Sequence, residues 1–255
     1  MESVIKKKLQ EIEEWEKVKI IMAIESGSRV WNFGSPDSKY NVKFLYLRDQ
    51  KEYFRLDEHK EVIEWNFNDT LVIEGWDFKK ALNLLHSSDP SLYEWCFSPI
   101  VYRSSDAFEE LKKIVPKYFS KKNSLYYYWN TASSNYKKHL RGHKVQIKNY
   151  FYALRPLLAA KWIFSHNCPP PMNFSELLDA EFPADLRVEA DKLLAMKKIS
   201  SKMGYALKIV VLNNYIEESL EELKEEIKKI SNCHFTWDEL NEFFYKTIMS
   251  EIKKV

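Results

Sequence analysis

The sequence predicts an α+β fold in which a mixed β-sheet flanked by helices is followed by an all-helical C-terminal part. Short β-prone runs occur before about residue 103, whereas segments of helical period dominate from about residue 104 onward. With 255 residues, of which 45% are hydrophobic, the chain is long enough for one large domain or two small ones. We therefore expect an α/β domain over residues 1–103 and a helical domain over residues 104–255.

Local patterns predict the elements of the first part. Apolar residues at near-helical spacing indicate an amphipathic helix over residues 3–15, which should lie against a sheet. β-prone runs predict strands at 19–24, 40–47, 61–67 and 70–74, the last two forming a hairpin. Asp77 is a good N-cap for a helix that begins at Phe78.

The second part reads as a series of helices. Apolar residues recur with a period of about 3.6 residues around 106–119, 123–140, 145–165, 184–199, 203–229 and 236–253. The three prolines that follow Cys168 predict a stiff corner between two of these helices.

Composition narrows the class of protein. Lysine and arginine number 39 against 37 acidic residues, so a net charge of +2 predicts no global nucleic-acid footprint. The three cysteines are widely spaced and form no paired motif, which argues against disulfides and zinc. The sequence shows no signal peptide and no run of eighteen apolar residues. We expect an intracellular protein, cytoplasmic or nuclear, that has no membrane partner.

Several blocks resemble one enzyme family. Residues 25–44 place a Gly-Ser turn after the first strand, and similar landmarks follow at Ile73–Asp77, Ser91–Tyr102, Leu154–Ala159 and Pro171–Leu178. Together these blocks, which cover roughly residues 18–180 in order, resemble the RNA-ligase-associated (RlaP-type) nucleotidyltransferases of the DNA polymerase β superfamily. The resemblance implies a nucleotidyltransferase-type sheet in the predicted fold.

The resemblance also implies a catalytic site whose acidic residues are missing. In that family the second strand carries two acidic residues two positions apart, and a neighbouring strand adds a third, so that together they hold two divalent metals. The matching positions here are Lys39, Asn41 and Val72, while Asn32 stands where glycine is usual. A lysine ammonium repels Mg²⁺ where an oxygen ligand is required. We therefore predict no catalytic residue and no cofactor, with Mg²⁺ or Mn²⁺ needed only by an atypical active site.

A binding role for phosphate remains compatible with the resemblance. The backbone amides and hydroxyl of a Gly-Ser turn suit an anion. Lys148, Tyr152 and Arg155 fall at i, i+4 and i+7, so we expect them to share a helix face. The resemblance implies that this helix lies beside the same cleft. The predicted nucleotide- or phosphate-binding residues are Gly27, Ser28, Arg29, Ser38, Lys39, Lys148, Tyr152 and Arg155.

Two other ways of binding a metal ion at this site have little support in the sequence. Asn41 and Glu74 are candidate ligands for a single weakly bound metal ion. A register shift that uses Asp37 places Lys39 two positions later, so no acidic pair forms.

A second candidate surface is the most basic stretch of the chain. We define the basic segment as Lys137, Lys138, Arg141, Lys144 and Lys148. It reads equally well as a phosphate-binding surface or as an ordinary solvated helix end. The run Tyr126–Trp129 favours core packing over base stacking, and His139 and His143 favour surface positions over a metal pair. The alternating charges of residues 218–229 predict an ion-paired helix face.

Three functions follow as hypotheses. The favoured one is a catalytically degenerate protein that keeps the nucleotidyltransferase scaffold to bind a nucleotide, a nucleic-acid end such as RNA, or a protein partner. The alternative is an active, metal-dependent enzyme that transfers a nucleoside monophosphate to RNA or another acceptor with an atypical site. The third is an architectural subunit whose phosphate pocket is filled.

Overall fold

The first half of the chain forms a mixed sheet and most of the helices that cover it. The computed structural model describes residues 1–35, 38–57, 59–68, 70–199 and 204–251. Its elements up to residue 114 are α1 (Glu2–Glu16), β1 (Lys19–Glu25), β2 (Tyr40–Leu47), β3 (Val62–Asn68), β4 (Leu71–Asp77), α2 (Phe78–His86), α3 (Pro90–Cys96), β5 (Val101–Arg103) and α4 (Asp106–Ile114).

The second half is mainly helical. Its elements are α5 (Lys121–His139), β6 (Lys144–Gln146), α6 (Asn149–His166), α7 (Phe174–Glu181), α8 (Arg187–Ile199), β7 (Tyr205–Leu207), α9 (Val210–Lys229) and α10 (Asp238–Glu251). Side chains cap several helix starts, because the first N–H groups of a helix have no partner within it. As predicted, the Asp77 carboxylate accepts a hydrogen bond from the Lys79 N–H at 2.8 Å and begins α2.

The five-stranded sheet has the order β3-β4-β2-β1-β5. β2 and β4 run parallel, and the other neighbouring strands run antiparallel. The predicted hairpin of β3 and β4 is therefore confirmed, as is the mixed sheet of an α+β fold. The parallel pair matters for the candidate site, because it places residues of β2 and β4 side by side on one face.

Apolar layers cover both faces of this sheet. On one face, Ile5, Leu9 and Ile12 of α1 pack against strand residues such as Val42 and Ile73. On the other face, apolar residues of α2, α3, α4 and α10 pack against β1 and β2. Each fully buried aliphatic side chain contributes roughly 1.5–3 kcal/mol, so α1 is held mainly by its apolar stripe.

The chain divides into two compact units whose boundaries differ from the predicted domains 1–103 and 104–255. The first unit comprises the described residues of 1–27, 39–118 and 234–251, and the second those of 28–38 and 119–233. The C-terminal helix α10 belongs to the first unit because Leu240, Phe243 and Ile248 pack in its core. The segment 28–38 belongs to the second unit because Phe33 is buried in the core there.

The second unit contains a feature that the sequence did not predict. β6 and β7 form a two-stranded antiparallel sheet within stretches that we expected to be helical from 145 and from 203. The helices α6 and α9 begin later, at Asn149 and Val210. Strands of three residues are too short to show a period in the sequence, which explains the error.

Candidate functional site

A buried carboxylate organises the end of β1, immediately before the Gly-Ser turn. Glu25 is fully buried; its Oε1 accepts from the Asn41 N–H at 2.7 Å and its Oε2 from the Tyr102 hydroxyl at 2.5 Å. The Ser98 hydroxyl donates to the Glu25 carbonyl at 2.7 Å. This carboxylate therefore ties β1 to β2 and β5, a role that the sequence analysis missed because Glu25 read only as part of a turn.

The turn itself requires glycine. Gly27 has a φ of 77°, a left-handed conformation that side chains disfavour. Asn32 also has a positive φ, 62°, which explains why glycine is usual there and why asparagine is tolerated. Ser28 is half-buried, and its hydroxyl makes no hydrogen bond to the described residues. The Ser28 hydroxyl is thus free to meet a ligand.

The loop after Ser28 is anchored in the second unit by aromatic packing. The buried Phe33 ring stacks on Phe151 with 4.9 Å between centroids and meets Phe174 edge-on at 5.5 Å. The Trp31 carbonyl accepts from the Phe174 N–H at 3.0 Å. Such ring pairs favour one geometry, so the loop conformation is set largely by its own aromatic residues.

Two of the predicted phosphate ligands close the far end of the same loop. An Arg29 guanidinium N–H donates to the Ser38 carbonyl at 2.5 Å. The Ser38 hydroxyl lies 2.9 Å from both the N–H and the hydroxyl of Ser35. Arg29 and Ser38 are therefore brought together, but the hydroxyl of Ser38 already serves the loop.

Arg155 is packed inside the second unit rather than displayed at its surface. It is 3% exposed, and its guanidinium lies over the Trp31 ring at 4.5 Å and the Tyr128 ring at 5.6 Å. A buried cation–π contact is worth about 2 kcal/mol. Lys148 is half-exposed at the start of α6, and Tyr152 is 40% exposed. The three predicted residues therefore differ in their exposure to solvent. Arg155 supports the loop that holds Trp31.

In the first unit, the positions of the missing carboxylates lie side by side. The parallel register pairs Asn41 with Val72 and Lys43 with Glu74, and all four side chains share one face of the sheet. Lys39, just before β2, is exposed. Asp37 lies outside the described residues.

An internal ion pair occupies the remaining carboxylate. The Lys43 ammonium lies 2.5 Å from Glu74 Oε2, and the Trp76 indole N–H donates to Glu74 Oε1 at 3.0 Å. Both oxygens of Glu74 are therefore in use. The sequence analysis did not identify Lys43, although its position two residues after Asn41 places both side chains on the same face of the strand.

These residues do not fit a divalent metal. Such ions need several oxygen ligands, whereas Glu74 is already paired with the Lys43 ammonium. Glu64 and Asn66 of β3, which oppose β4 on the same face, are exposed to solvent. Among the described residues, no group of three or more His, Cys, Asp and Glu side chains could hold a metal ion.

The basic segment in the second unit differs from the Lys43–Glu74 site because its cations have no acidic partners among the described residues. Lys137, Lys138, Arg141 and Lys144 are exposed, and none of the five cations forms an ion pair with the described residues. No aspartate or glutamate occurs between Glu110 and Glu176. The basic segment therefore carries uncompensated positive charge.

The neighbouring sequence predictions have mixed outcomes. Tyr128 is buried while Tyr126 is 56% exposed, so the aromatic run is only partly core. His139 and His143 are exposed, as expected. On α9, the predicted ion pairs are present: Lys224–Glu221, Lys228–Glu225 and Lys229–Glu226.

The mixed sheet with its parallel β2–β4 pair and the helical second unit form the α+β fold that was expected of a nucleotidyltransferase-like protein. A family model described as "RlaP: RNA repair pathway DNA polymerase beta family" matches residues 1–246, and the chain belongs to this family. The resemblance that the sequence suggested is confirmed.

Two known proteins show how far similarity extends. The chain is 40% identical over 225 residues to "Uncharacterized protein YcgL" of Bacillus subtilis (strain 168), covering 87% of this chain and 86% of the relative. A solved structure, a nucleotidyltransferase-like protein from Exiguobacterium sibiricum 255-15, aligns with a TM-score of 0.29 and 11% identity. That alignment covers 88% of this chain and 74% of the other.

Across the described residues, every helix is too short or too polar to cross a membrane.

Proposed function

We propose that this chain is a catalytically degenerate nucleotidyltransferase-fold protein that binds a nucleotide or a nucleic-acid end without two-metal chemistry. The observation that carries the proposal is the Lys43–Glu74 ion pair on the sheet face that holds Asn41 and Val72. Metal-dependent nucleotidyl transfer uses carboxylates to hold two cations against the triphosphate. Here an ammonium of the chain itself, that of Lys43, pairs with the Glu74 carboxylate.

The Gly27–Ser28 turn supports a retained binding role. Its left-handed glycine keeps the backbone free of a side chain, and the Ser28 hydroxyl has no competing partner among the described residues. A phosphate oxygen accepts hydrogen bonds from such a hydroxyl and from backbone N–H groups without a metal. In the first unit, the exposed Lys39 is a cation that opposes Mg²⁺ beside β2.

A transfer assay tests the degenerate site. The purified protein is incubated with each labelled nucleoside triphosphate, Mg²⁺ or Mn²⁺ and an RNA pool, beside a variant with Lys39→Asp, Asn41→Asp and Val72→Asp. We expect label transfer by the restored variant only, because only that variant has the three carboxylates. Transfer by the unmodified protein contradicts the proposal and supports the atypical active enzyme.

A matched control distinguishes the effect of restoring the carboxylate site from the effect of adding acidic residues in general. The variant with Lys7→Asp, Asn214→Asp and Val188→Asp makes the same three exchanges at exposed positions. It should transfer no label. If both triple variants are equally active, the assigned carboxylate positions are wrong.

Calorimetric titration with ATP tests the binding role directly. Removing a hydroxyl that bonds a charged group costs about 1.5–3 kcal/mol, so Ser28→Ala should weaken binding about tenfold or more. Ser231→Ala, at an exposed serine, is the control and should bind like the parent. Binding that is equal in all three proteins points instead to an architectural subunit.

A further inference from the structure

The small sheet of the second unit displays apolar and cationic side chains on one outer face. Directly opposed residues of an antiparallel pair point to the same side, and the register opposes Lys144 to Leu207 and Gln146 to Tyr205. Between them, Val145 is 1% exposed and faces the core. We name the side chains of Lys144, Gln146, Tyr205 and Leu207 the β6–β7 face.

The two apolar members of this face are exposed to solvent. Tyr205 is 70% exposed and Leu207 is 73% exposed. A ligand that covers these two side chains removes apolar surface from water, which favours binding. The two residues are two positions apart on one strand, so their Cα atoms are about 7 Å apart.

The charge around this face is positive and uncompensated. Lys144 belongs both to the face and to the basic segment, and Arg141 lies three residues before it. Lys208 follows Leu207, and its N–H donates to the His143 carbonyl at 3.1 Å. None of these three cations forms an ion pair with the described residues.

Elsewhere several described surface lysines are paired with an acid one turn away on the same helix. Such pairs hold Lys6 on α1, Lys112 and Lys113 on α4, Lys192 on α8, Lys246 on α10 and the three lysines of α9. The basic segment lacks acids at those spacings. Charge complementarity therefore indicates a polyanionic occupant for the β6–β7 face rather than solvent alone.

We propose that the β6–β7 face binds a single-stranded nucleic acid. The Tyr205 ring stacks on an unpaired base, Leu207 packs against the next one, and Lys144, Arg141 and Lys208 contact the phosphates. Sheet faces with exposed aromatic rings bind single strands in this manner, because every base offers a π-face. This inference deepens the proposed function by naming a strand as the ligand, and it uses no residue of the Gly27–Ser28 turn.

The chemistry of the face predicts its selectivity. Stacking needs bases that are not paired, so a single strand should bind more tightly than a duplex of the same length. Gln146 is the one face residue with a side-chain amide, and a single amide gives little base discrimination. Binding should therefore tolerate different sequences.

Fluorescence anisotropy with a labelled single-stranded RNA of about 12 nucleotides, within the usual range of single-strand site sizes, tests the proposal. Base stacking on an aromatic ring is lost in Tyr205→Ala, which should weaken binding about 5- to 100-fold. Tyr205→Phe keeps the ring and should bind like the parent. Tyr245→Ala, at a 61% exposed tyrosine of α10, is the matched control and should also bind like the parent.

Salt dependence tests the phosphate contacts. For single strands, each neutralised phosphate adds about 0.7 to the slope of log affinity against log salt. Lys144→Gln should reduce that slope by about 0.7. Lys224→Gln, which removes a lysine already paired with Glu221, should leave the slope unchanged.

Clear results overturn the proposal. If Tyr205→Ala binds the strand like the parent, or if a duplex binds as tightly as the strand, the face does not stack bases. If neither RNA nor DNA strands bind, an acidic protein segment is the better occupant. ATP titration keeps the two proposals apart, because Tyr205→Ala should leave ATP binding intact while Ser28→Ala should weaken it.

Discussion

The β2–β4 pair of the first unit and the β6–β7 face of the second unit hold lysines in opposite environments. On the β2–β4 pair, the Lys43 ammonium is half-buried and bound to a carboxylate of the same protein. At the face, the Lys144 ammonium is exposed and has no acidic partner among the described residues. A cation that is satisfied internally stabilises the fold, whereas an unsatisfied one is available to a ligand. The contrast separates a charge used within the fold from a charge exposed to solvent in one nearly neutral protein.

The largest expected effect tests how tightly the β2–β4 pair is packed. A Cβ at Gly75 would overlap the Phe44 ring, while a Cβ at Gly204, just before β7, meets nothing within 4 Å. Gly75→Ala should therefore lower the free energy of unfolding by about 3 kcal/mol or more. Gly204→Ala should change it by less than about 0.5 kcal/mol. Urea denaturation measures both, and equal effects would contradict the contrast.

The Lys43–Glu74 ion pair on the β2–β4 pair should contribute measurably to the free energy of unfolding. Lys43→Met leaves the half-buried Glu74 carboxylate with only the Trp76 N–H, so we expect a loss of about 1–3 kcal/mol, between the values for exposed and buried pairs. The exposed pair on α9 is the control. Lys228→Met should lower the free energy of unfolding by at most about 0.5 kcal/mol. If Lys43→Met lowers it by no more than that, the Lys43–Glu74 pair is only a surface contact.

A pH-dependent effect is expected at Asp77, which ends β4. Burial raises the pKa of the Asp77 carboxyl above its ordinary value of 3.8, against the opposing hydrogen bond from Lys79 and the nearby His59. The folded protein therefore binds this proton more tightly than the unfolded chain. The resulting stability is complete below pH 3.8 and is lost as the pH rises through the raised pKa.

Asp77→Asn isolates that contribution. Asparagine is an equally good N-cap, so α2 should remain while the buried charge is removed. The variant should gain stability relative to the parent as the pH rises from 3 toward 7, measured by urea denaturation at each pH. Asp238→Asn, at an exposed aspartate, should follow the parent profile throughout. Parallel profiles for Asp77→Asn and the parent contradict the prediction.

The smallest expected effect concerns the stability contribution of the basic segment. Lys138→Ala and Lys144→Ala remove exposed cations that have no acidic partner among the described residues. Their unfolding free energies should stay within about 0.5 kcal/mol of the parent. A larger loss would mean that these lysines support the fold, which would weaken the assignment of the segment to binding.

Much of the fold was predictable because its signals are local. The alternation from Tyr40 to Leu47 predicts β2 with the observed bounds, and the carboxylate of Asp77 predicts the start of α2. Positions within an element depend on nearby residues, which the sequence shows directly. The same holds for the turn at Gly27.

The rest of the site depends on contacts between distant segments. The partner of Glu74 is set by the parallel register of β2 and β4, and the nearest sequence clue is only the spacing of Lys43 from Asn41. The position of Arg155 on a helix face does not reveal that Trp31 and Tyr128 cover it. Likewise, strands as short as β6 and β7 owe their existence to each other rather than to their own sequences.

The interleaved course of the chain limits how this protein can be divided. The backbone passes from one compact unit to the other after Gly27, Ser38, Tyr118 and Cys233. A truncation at any one of these points, or at residue 103, leaves pieces of both units in at least one fragment. A fragment that begins at residue 104 lacks Phe33, so Phe151 and Phe174 lose the ring that covers them. The two units are thus not portable modules, and neither can be exchanged between relatives by a single recombination point.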